Sequence, residues 1–186
     1  MEEVKHLSLQ ELEAGLDEIR RSPRDAGAVE LIVRRPRMDE REVLTEARLD
    51  RTSGLVGDMW PTRKSTRTPD GSPHPDMQLN LMNSRVIALL AQDRERWALA
   101  GDQIYIDLDL SADNLPTGTR LQIGSAIIEV TSQPHTGCDK FAARFGLDAL
   151  RFVNGPERKP YRLRGINARV VEPGVVKIGD VARKIV

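Results

Sequence analysis

The side chains best suited to chemistry lie in one short stretch, PHTGCDKFAARFG, at positions 134–146. It contains Cys138, the only cysteine of the chain, and His135 three residues before it. A cysteine thiolate is both a nucleophile and a soft metal ligand, and a nearby histidine can tune it or act on a substrate. These two residues are therefore the first candidates for a catalytic or metal-binding site.

The neighbouring residues predict how this cysteine is presented. Pro134 cannot lie inside a helix, so the preceding strand must end near it. Thr136 and Asp139 have the spacing of a capping box, and Gly146 supplies a stop signal. Together they predict a short helix with Cys138 in its first turn.

The role of Cys138 stays open at this level. Free N–H groups at a helix start stabilise a thiolate, and Lys140, Arg144 and His135 would add to this if they fold to the same side. Free cysteine is also among the most buried and inert residue types. One cysteine with one histidine is not a structural zinc site, and spacing does not show whether the imidazole is aimed at the sulfur. A reactive and a structural role both remain.

Composition and charge exclude several classes of function. The 186 residues fit one domain, and 28 basic and 28 acidic residues give a net charge of zero. Nothing in this balance calls for nucleic acid or an anionic membrane, so any anion site has to be local. A single cysteine excludes an internal disulfide and multi-cysteine zinc patterns. The acidic N-terminus lacks a secretory signal pattern and no apolar stretch could span a bilayer, so we expect a cytoplasmic protein.

The first part of the chain predicts a helix followed by strands. The motif SLQE at positions 8–11 is a capping box, and the amphipathic helix that it opens ends at Pro23. AVELIVRRP predicts a strand, and a strand is also slightly favoured for REVLTEARLD. We expect residues 1–60 to pack on the same domain as residues 77–186, with residues 61–76 as a loop or linker between them.

The segment WPTRKSTRTPDGSPHPD, at positions 60–76, is rich in Pro, Gly, Ser and Thr and is locally basic. Arg63, Lys64 and Arg67 could attract an anion, although this composition favours a solvated loop. Loops of this length inside a compact chain tend to be functional or mobile.

The rest of the chain predicts a β-rich domain. After a short strand, Asn83 or Ser84 can cap a helix. Strand-like runs follow in QIYIDLDL, GTRLQIG, AIIEVTSQ, RGINARVV, VVKIGD and VARKIV. The EPG sequence at positions 172–174 is typical of a hairpin turn. We therefore predict a mainly β (α+β) fold, a barrel or sandwich with a few inserted helices and an N-terminal amphipathic helix.

Four pieces of the chain, in order, resemble the MOSC domain, named after the C-terminal domain of molybdenum cofactor sulfurase. They are LMNSR (81–85), AGDQIYIDLDLSADNLP (100–116), GTRLQIGSAIIEVTSQPHTGCDKFAARFG (118–146) and RLRGINARVVEPGVVKIGD (162–180). The match before Asn80 is loose and rests on SGLVGD. The ordered set, with a cysteine before KFxxRFG, is more specific than any one motif, and it implies a barrel-like β fold.

The resemblance implies molybdenum chemistry at Cys138. In family members that carry the molybdenum cofactor, the matching cysteine coordinates the metal through its sulfur, and the pterin and its phosphate are held nearby. A thiolate suits that role because it is a soft ligand. The first candidates to hold the phosphate are then Lys140, Arg144 and Arg164.

Other polar residues in the matching segments are candidates for hydrogen bonds to the pterin edge: Asn83, Arg85, Asn114 and Asn167. Each could equally be a cap or turn residue, Asn83 above all. His135 is a candidate to orient a substrate or tune the thiol, and a solvent-facing turn histidine is the alternative.

Three functions follow from these observations. The resemblance implies first a cytosolic molybdenum-cofactor protein that reduces N-hydroxylated or similar N–O substrates, as do the mitochondrial amidoxime-reducing component and small stand-alone bacterial relatives. A separate reductase would supply electrons, since no flavin or haem motif is visible. The second is a sulfur carrier with a Cys138 persulfide, fed by a separate desulfurase because the pyridoxal-phosphate domain of the full sulfurase is not in this sequence. The third is a non-catalytic pterin- or anion-binding module. The substrate and the oligomeric state stay open.

Overall fold

A computed structural model describes residues 5–185, and its architecture is mainly β. Runs of alternating and β-branched residues form the strands, as the sequence predicts. The strands are β1 (Ala26–Arg34), β2 (Glu42–Leu44), β3 (Glu46–Asp50), β4 (Gly54–Leu55), β5 (Leu79–Asn83), β6 (Ile104–Ile106), β7 (Arg120–Ile123), β8 (Ala126–Val130), β9 (Ile166–Glu172), β10 (Gly174–Lys177) and β11 (Val181–Ile185).

Seven strands close into a mixed barrel in the order β11-β7-β8-β9-β5-β6-β1. The pairing of β1 with β11, where Ala26 lies opposite Arg183, completes the ring, and β2 extends β1 on the outside. The β5–β6 pair is parallel, whereas its neighbours along the ring are antiparallel. A small sheet, β10-β3-β4, lies beside the barrel. The predicted barrel fold is confirmed.

Short helices cover part of the barrel: α1 (Leu9–Ala14), α2 (Leu16–Arg20), α3 (Ser84–Ala91), α4 (Asp139–Phe145) and α5 (Leu147–Asn154). The predicted capping box at Ser8 and Glu11 is present. The single N-terminal helix predicted up to Pro23 is instead two short helices, which meet at Gly15. No helix among residues 5–185 has the length and apolar character needed to cross a membrane.

Two apolar cores follow from the alternation of the strands. On β1, Ile32 belongs to the core inside the barrel, whereas its neighbours Leu31 and Val33 pack with the helices outside. On β5, Leu81 faces inward and Met82 packs against the helices in the same way. Successive side chains of a strand point to opposite faces, so a strand buried on both faces joins the two cores.

The prediction of a hairpin at EPG is wrong. Strands β9 and β10 flank Pro173, but they do not pair with each other. β9 pairs with β5 and β8 in the barrel, while β10 turns away and pairs with β3, with Val176 opposite Ala47. A local turn signal identifies the bend of the chain and not the partner of the strand that follows.

Candidate functional site

A cleft of about 410 Å³ opens beside the barrel. Most of its walls come from three segments: the loop after β1, the segment 59–77, and residues 135–144 around the start of α4. Asn80, Ala100, Gly101 and Arg164 complete the lining. The loop predicted at positions 61–76 therefore forms part of a pocket wall, and Arg63, Lys64 and His74 line it. Arg67 lies outside and donates to Gln133 Oε1 over 3.0 Å.

Cys138 lies on the cleft with an exposed side chain. It is the N-cap residue of α4, in an extended conformation, so the helix begins two residues later than a cap at Thr136 would place it. The predicted capping box at Thr136 and Asp139 is wrong, because the cap position belongs to Cys138 and no side chain caps the helix there. The Asn154 side chain holds the preceding loop by two hydrogen bonds to the Gly137 backbone, of 2.9 and 3.1 Å.

His135 lines the cleft as part of a buried charged network. Its Nε2 lies 2.9 Å from Oδ1 of Asp102, which has no exposed surface. The other carboxylate oxygen accepts from Arg164 Nη1 over 2.6 Å. Burial by itself raises the pKa of Asp102, but Arg164 and His135 outweigh it, so this pKa lies below the usual aspartate value. Burial and then repulsion from Arg164 lower the pKa of His135.

These directions fix the protonation of the pair near neutral pH. Asp102 is ionised and can only accept, so Nε2 of a neutral His135 carries the proton that it donates. Nδ1 of the ring is then left with a lone pair. Asp102 favours the imidazolium form of His135, whereas burial and Arg164 disfavour it more strongly, so a proton taken up at Nδ1 would be passed on readily.

Arg164 is held rigidly by its neighbours. Its Nη2 donates to the Ala100 carbonyl over 2.9 Å, and its guanidinium lies 4.8 Å from the centre of the Phe141 ring. Its Nε is buried and has no hydrogen-bond partner among the described atoms. The next residue, Gly165, has φ 114°, and a Cβ there would overlap the Leu81 carbonyl oxygen. Only glycine allows the backbone to approach β5 this closely.

The cleft carries a strong local positive charge. Asp39 is the one carboxylate among its described lining residues. The cationic lining side chains are Arg35, Arg41, Arg63, Lys64, Lys140, Arg144 and Arg164. A chain without net charge thus concentrates positive charge in this cleft, as a local anion site would require.

Some of these cations are neutralised within the protein. Arg35 is buried and pairs with Asp58 through two hydrogen bonds of 2.9 and 2.8 Å. Asp39 lines the cleft and binds two cations of α4: Lys140 Nζ at 3.1 Å and Arg144 Nη2 at 3.0 Å. We call this contact the Asp39 latch. The hydrogen bond from Lys140 lowers the pKa of Asp39.

Other cations have no such partner. Arg41, Arg63 and Lys64 form no ion pair within residues 5–185, where the pairs of the loop after β1 involve Arg37, Asp39 and Glu40 instead. Arg41 Nε is buried without a hydrogen-bond partner among the described atoms. Burial lowers the pKa of both Arg41 and Arg63, and repulsion from other arginines adds to it. A guanidinium still stays charged, so these side chains favour an anion in the cleft.

Three predicted site residues lie outside this cleft and have structural partners. Asn83 caps α3 and donates to Ser22 and to the Leu108 carbonyl. Arg85 pairs with Asp107 and Glu18. Asn114 donates to the Arg24 and Asp109 carbonyls and accepts from Lys184. We therefore leave these three out of the site proposed below.

Asn167 occupies an intermediate position. It has no exposed surface, accepts from Asn80 Nδ2 over 2.6 Å and donates to the Gln133 carbonyl over 3.1 Å. It borders a second cavity beside the cleft. The structure thus brings Cys138, His135 and Arg164 together with Lys140 and Arg144. Asn83, Arg85 and Asn114 lie away from them, whereas Asn167 shares the second cavity with His135 and Arg164.

The sequence profile of the MOSC domain matches residues 72–183, more than half of the chain. This chain belongs to the MOSC family. Its fold is similar to the crystal structure of the YuaD protein from Bacillus subtilis, with 17% identity over 84% of this chain and 94% of that one and a TM-score of 0.59. YiiM from Escherichia coli has 19% identity over 86% of this chain and 70% of that one, with a TM-score of 0.53. No curated protein matches the chain in sequence.

The MOSC match covers only part of the site. Cys138, His135, Asp102 and Arg164 lie inside the matched region, whereas the unpartnered Arg41 and the rest of the loop after β1 precede it. Elements before residue 72 therefore add much of the positive charge to the cleft.

Sequence reasoning missed Asp102, Asp39 and Arg41. Asp102 directly precedes the run QIYIDL, and a carboxylate beside a buried strand is a signal that it needs a buried partner. Asp39 and Arg41 carry no such signal, because they reach the cleft only through the fold of an exposed loop.

Proposed function

We propose that this MOSC protein binds the molybdenum cofactor in the cleft, with the Cys138 thiolate on the metal, and reduces N-hydroxylated or other N–O substrates. One observation carries the proposal: the only thiol of the chain is exposed on a cleft lined by seven cationic side chains. A soft ligand beside an anion site matches a cofactor that combines a thiophilic metal with a phosphate.

The ligand set fits a metal that arrives with other ligands of its own. Among residues 5–185, no group of three or more His, Cys, Asp or Glu side chains could hold a metal ion. A single cysteine is too little for a protein-built metal site but sufficient for a cofactor that already holds the metal. The cleft volume of about 410 Å³ also lies within the usual range of small-molecule sites.

The anionic part of the cofactor is supported by cations that lack internal partners. Arg41, Arg63 and Lys64 would hold the phosphate, and the unpartnered Arg41 Nε is a donor available to it. Lys140 and Arg144 can join them when they leave the Asp39 latch.

When bound, the molybdenum centre supplies the redox chemistry. The protein supplies the proton-handling group: His135, held by Asp102, would take a proton from solvent at Nδ1 and pass it to the substrate. Reduction of an N–O bond consumes protons, and an imidazolium whose pKa is lowered by burial and by Arg164 gives its proton up readily. A separate reductase is the proposed electron donor, and a small N–O compound is the proposed substrate.

The decisive experiment measures molybdenum and pterin in protein purified from a cofactor-competent host. We expect near-stoichiometric molybdenum in the wild type and about a tenfold or greater loss in Cys138→Ser. Ala143→Ser changes an exposed residue on the same helix and should retain the metal. Absence of molybdenum from the wild type, or its retention in Cys138→Ser, would contradict the proposal.

A second candidate function is favoured by the exposure of the thiol. An exposed Cys138 could accept sulfane sulfur from a desulfurase partner, carry it as a persulfide and pass it to an acceptor. Incubation with a desulfurase and cysteine, followed by mass spectrometry, would show a persulfide that Cys138→Ser lacks. A cleft that still binds phosphate but takes neither metal nor persulfide would identify a non-catalytic anion-binding module.

A further inference from the structure

A second cavity of about 750 Å³ lies on the other side of the loop that carries His135. His135, Thr136 and Arg164 line both this cavity and the cleft. A molecule in the second cavity would therefore lie next to the proton-handling group of the proposed site. The contacts described so far do not use this space.

The charge of the second cavity is one-sided. Its cations are Lys159, Arg162 and Arg164, and no carboxylate is among its lining residues in the described chain. The remaining wall is mostly apolar and rigid, and includes Pro134, Pro156, Pro160, Val153 and Ile166. Proline rings have few conformations to lose, so such walls suit a flat or ring-shaped body.

Arg162 is the side chain that most requires a partner. It is half-buried, and its one side-chain hydrogen bond goes from Nη1 to the Leu115 carbonyl over 2.7 Å. It belongs to no ion pair within the described part of the chain, in contrast to Arg158 nearby, which pairs with Glu13 and Glu157. Burial lowers its pKa. A desolvated guanidinium without a counter-charge is costly, and a ligand anion would relieve that cost.

The backbone at Arg162 has a local structural reason. Arg162 is the C-cap residue of the short helix Pro156–Tyr161 and adopts the left-handed conformation, with φ 49° and ψ 48°. Such conformations are common at helix ends, so the proposal rests on the side chains of the cavity and not on this backbone. A second donor lies at the partition between the cavities, where the Arg164 side chain is 8% exposed and its Nε has no partner among the described atoms.

We propose that the second cavity binds a small molecule with a ring-shaped body and one carboxylate or phosphate group, with the anion on Arg162 and Lys159 and the body against the proline-rich wall. If the protein is the proposed reductase, this cavity is its substrate site, and its substrates are anionic N–O compounds. That assignment rests on the proposed function, whereas the binding of the anion depends only on the cavity.

Isothermal titration calorimetry on the full chain, purified without cofactor, tests the binding. The probes are benzoate, phenyl phosphate, inorganic phosphate and the neutral benzamide. We expect one molecule of benzoate or phenyl phosphate to bind per chain at the second cavity, apart from any binding in the cationic cleft, which inorganic phosphate reports. We expect benzamide to bind much more weakly because it lacks the charge. The better of the two anionic probes identifies carboxylate or phosphate as the preferred group.

Variants assign the binding to one cavity. Arg162→Gln should weaken binding of the preferred probe about tenfold or more. Arg63→Gln, which changes only the cleft, should leave that affinity unchanged, as should the exposed Arg151→Gln. If Arg162→Gln fails to fold, Lys159→Gln, a change at an exposed residue, replaces it in the test. We expect this variant to weaken binding of the preferred probe severalfold.

Several results would overturn the inference: no binding of either aromatic anion, equal binding of benzamide, or an affinity that depends on Arg63 and not on Arg162 or Lys159. The two proposals fail separately. Molybdenum without binding of aromatic anions would leave the proposed function standing and reject this site. Binding of the anions in a protein that takes no molybdenum would support this site and reject the proposed function.

Discussion

At the scale of single residues, Asp102 determines the state of the site. It is fully buried and accepts hydrogen bonds from both His135 and Arg164. Removing one partner of such a buried charged network leaves an uncompensated charge, which typically costs about 3–5 kcal/mol. The network therefore supports the fold around Cys138 as well as setting the protonation of the histidine beside it.

The lowered pKa of His135 predicts how stability depends on pH. Because the folded protein resists protonation of this ring, the unfolded chain binds more protons below about pH 6.5, the ordinary histidine value. Its contribution is thus fully present above that pH and is lost as the pH falls toward the folded pKa. We expect the free energy of unfolding, from urea titrations, to be lower at pH 5.5 than at pH 7.5, by up to about 1.4 kcal/mol per pH unit.

His135→Gln should reduce this slope, since glutamine does not titrate. The pKa of Asp102 is also lowered, but its window lies below about pH 3.8 and outside the measured range. An unchanged slope in the variant would show that His135 is not the group responsible.

At the scale of elements, Gly165 sets how closely β9 enters the barrel. It stands directly before β9, with φ 114°, and its Cα faces the Leu81 carbonyl of β5. The same residue fixes the backbone of Arg164, which points its guanidinium to Asp102. One glycine therefore links the packing of two strands to the geometry of the site.

Gly165→Ala should destabilise the protein by about 3 kcal/mol, because it combines left-handed strain with a backbone overlap. Gly118→Ala is the matched control: its φ of 90° is similar, but a Cβ there meets no described atom within 4 Å. We expect a cost of about 1 kcal/mol for the control. If urea denaturation showed equal losses of stability in the two variants, the backbone would be able to shift away from the overlap with Leu81 at little cost in free energy.

At the scale of the whole molecule, the distribution of charge matters more than its sum. The chain has no net charge, yet its cleft is strongly cationic, and the Asp39 latch occupies two of the cations. Asp39 is exposed and has φ 61°, on a loop that belongs to neither core. An incoming anion can therefore compete with it at little cost to the fold.

Asp39→Asn should bind inorganic phosphate about two- to fivefold more tightly than the wild type, since the change releases two cations and an exposed ion pair is a weak competitor. Calorimetric titration at low ionic strength measures this. Asp17→Asn, a change at a still more exposed aspartate that pairs with Arg20 on α2, should leave the affinity unchanged. Identical affinities in the two variants would show that the latch does not compete with the anion.

Several features of this protein could be predicted because they depend on local sequence. The Ser8–Glu11 capping box and the cap at Asn83 are present, and REVLTEARLD is extended as predicted, although it forms two short strands, β2 and β3, in different sheets. The EPG hairpin and the Thr136 cap failed for a shared reason: a turn signal indicates where the chain bends, while neighbours distant in sequence decide what it then pairs with. The family resemblance makes Asn83, Arg85 and Asn114 candidates for the site, because they lie in matching segments. In the structure they lie outside the cleft, where hydrogen bonds to other residues hold them.

The sequence by itself determined the barrel class and the family, because strand periodicity and ordered motifs are encoded along the chain. It also singled out Cys138 as the candidate ligand, which stays a prediction. Only the tertiary structure decided that Asp102 holds His135, that Asp39 pairs with Lys140 and Arg144, and that Arg41 and Arg63 line one cationic cleft. These contacts join residues tens of positions apart. Their energies depend on burial and distance, which arise only when the barrel closes.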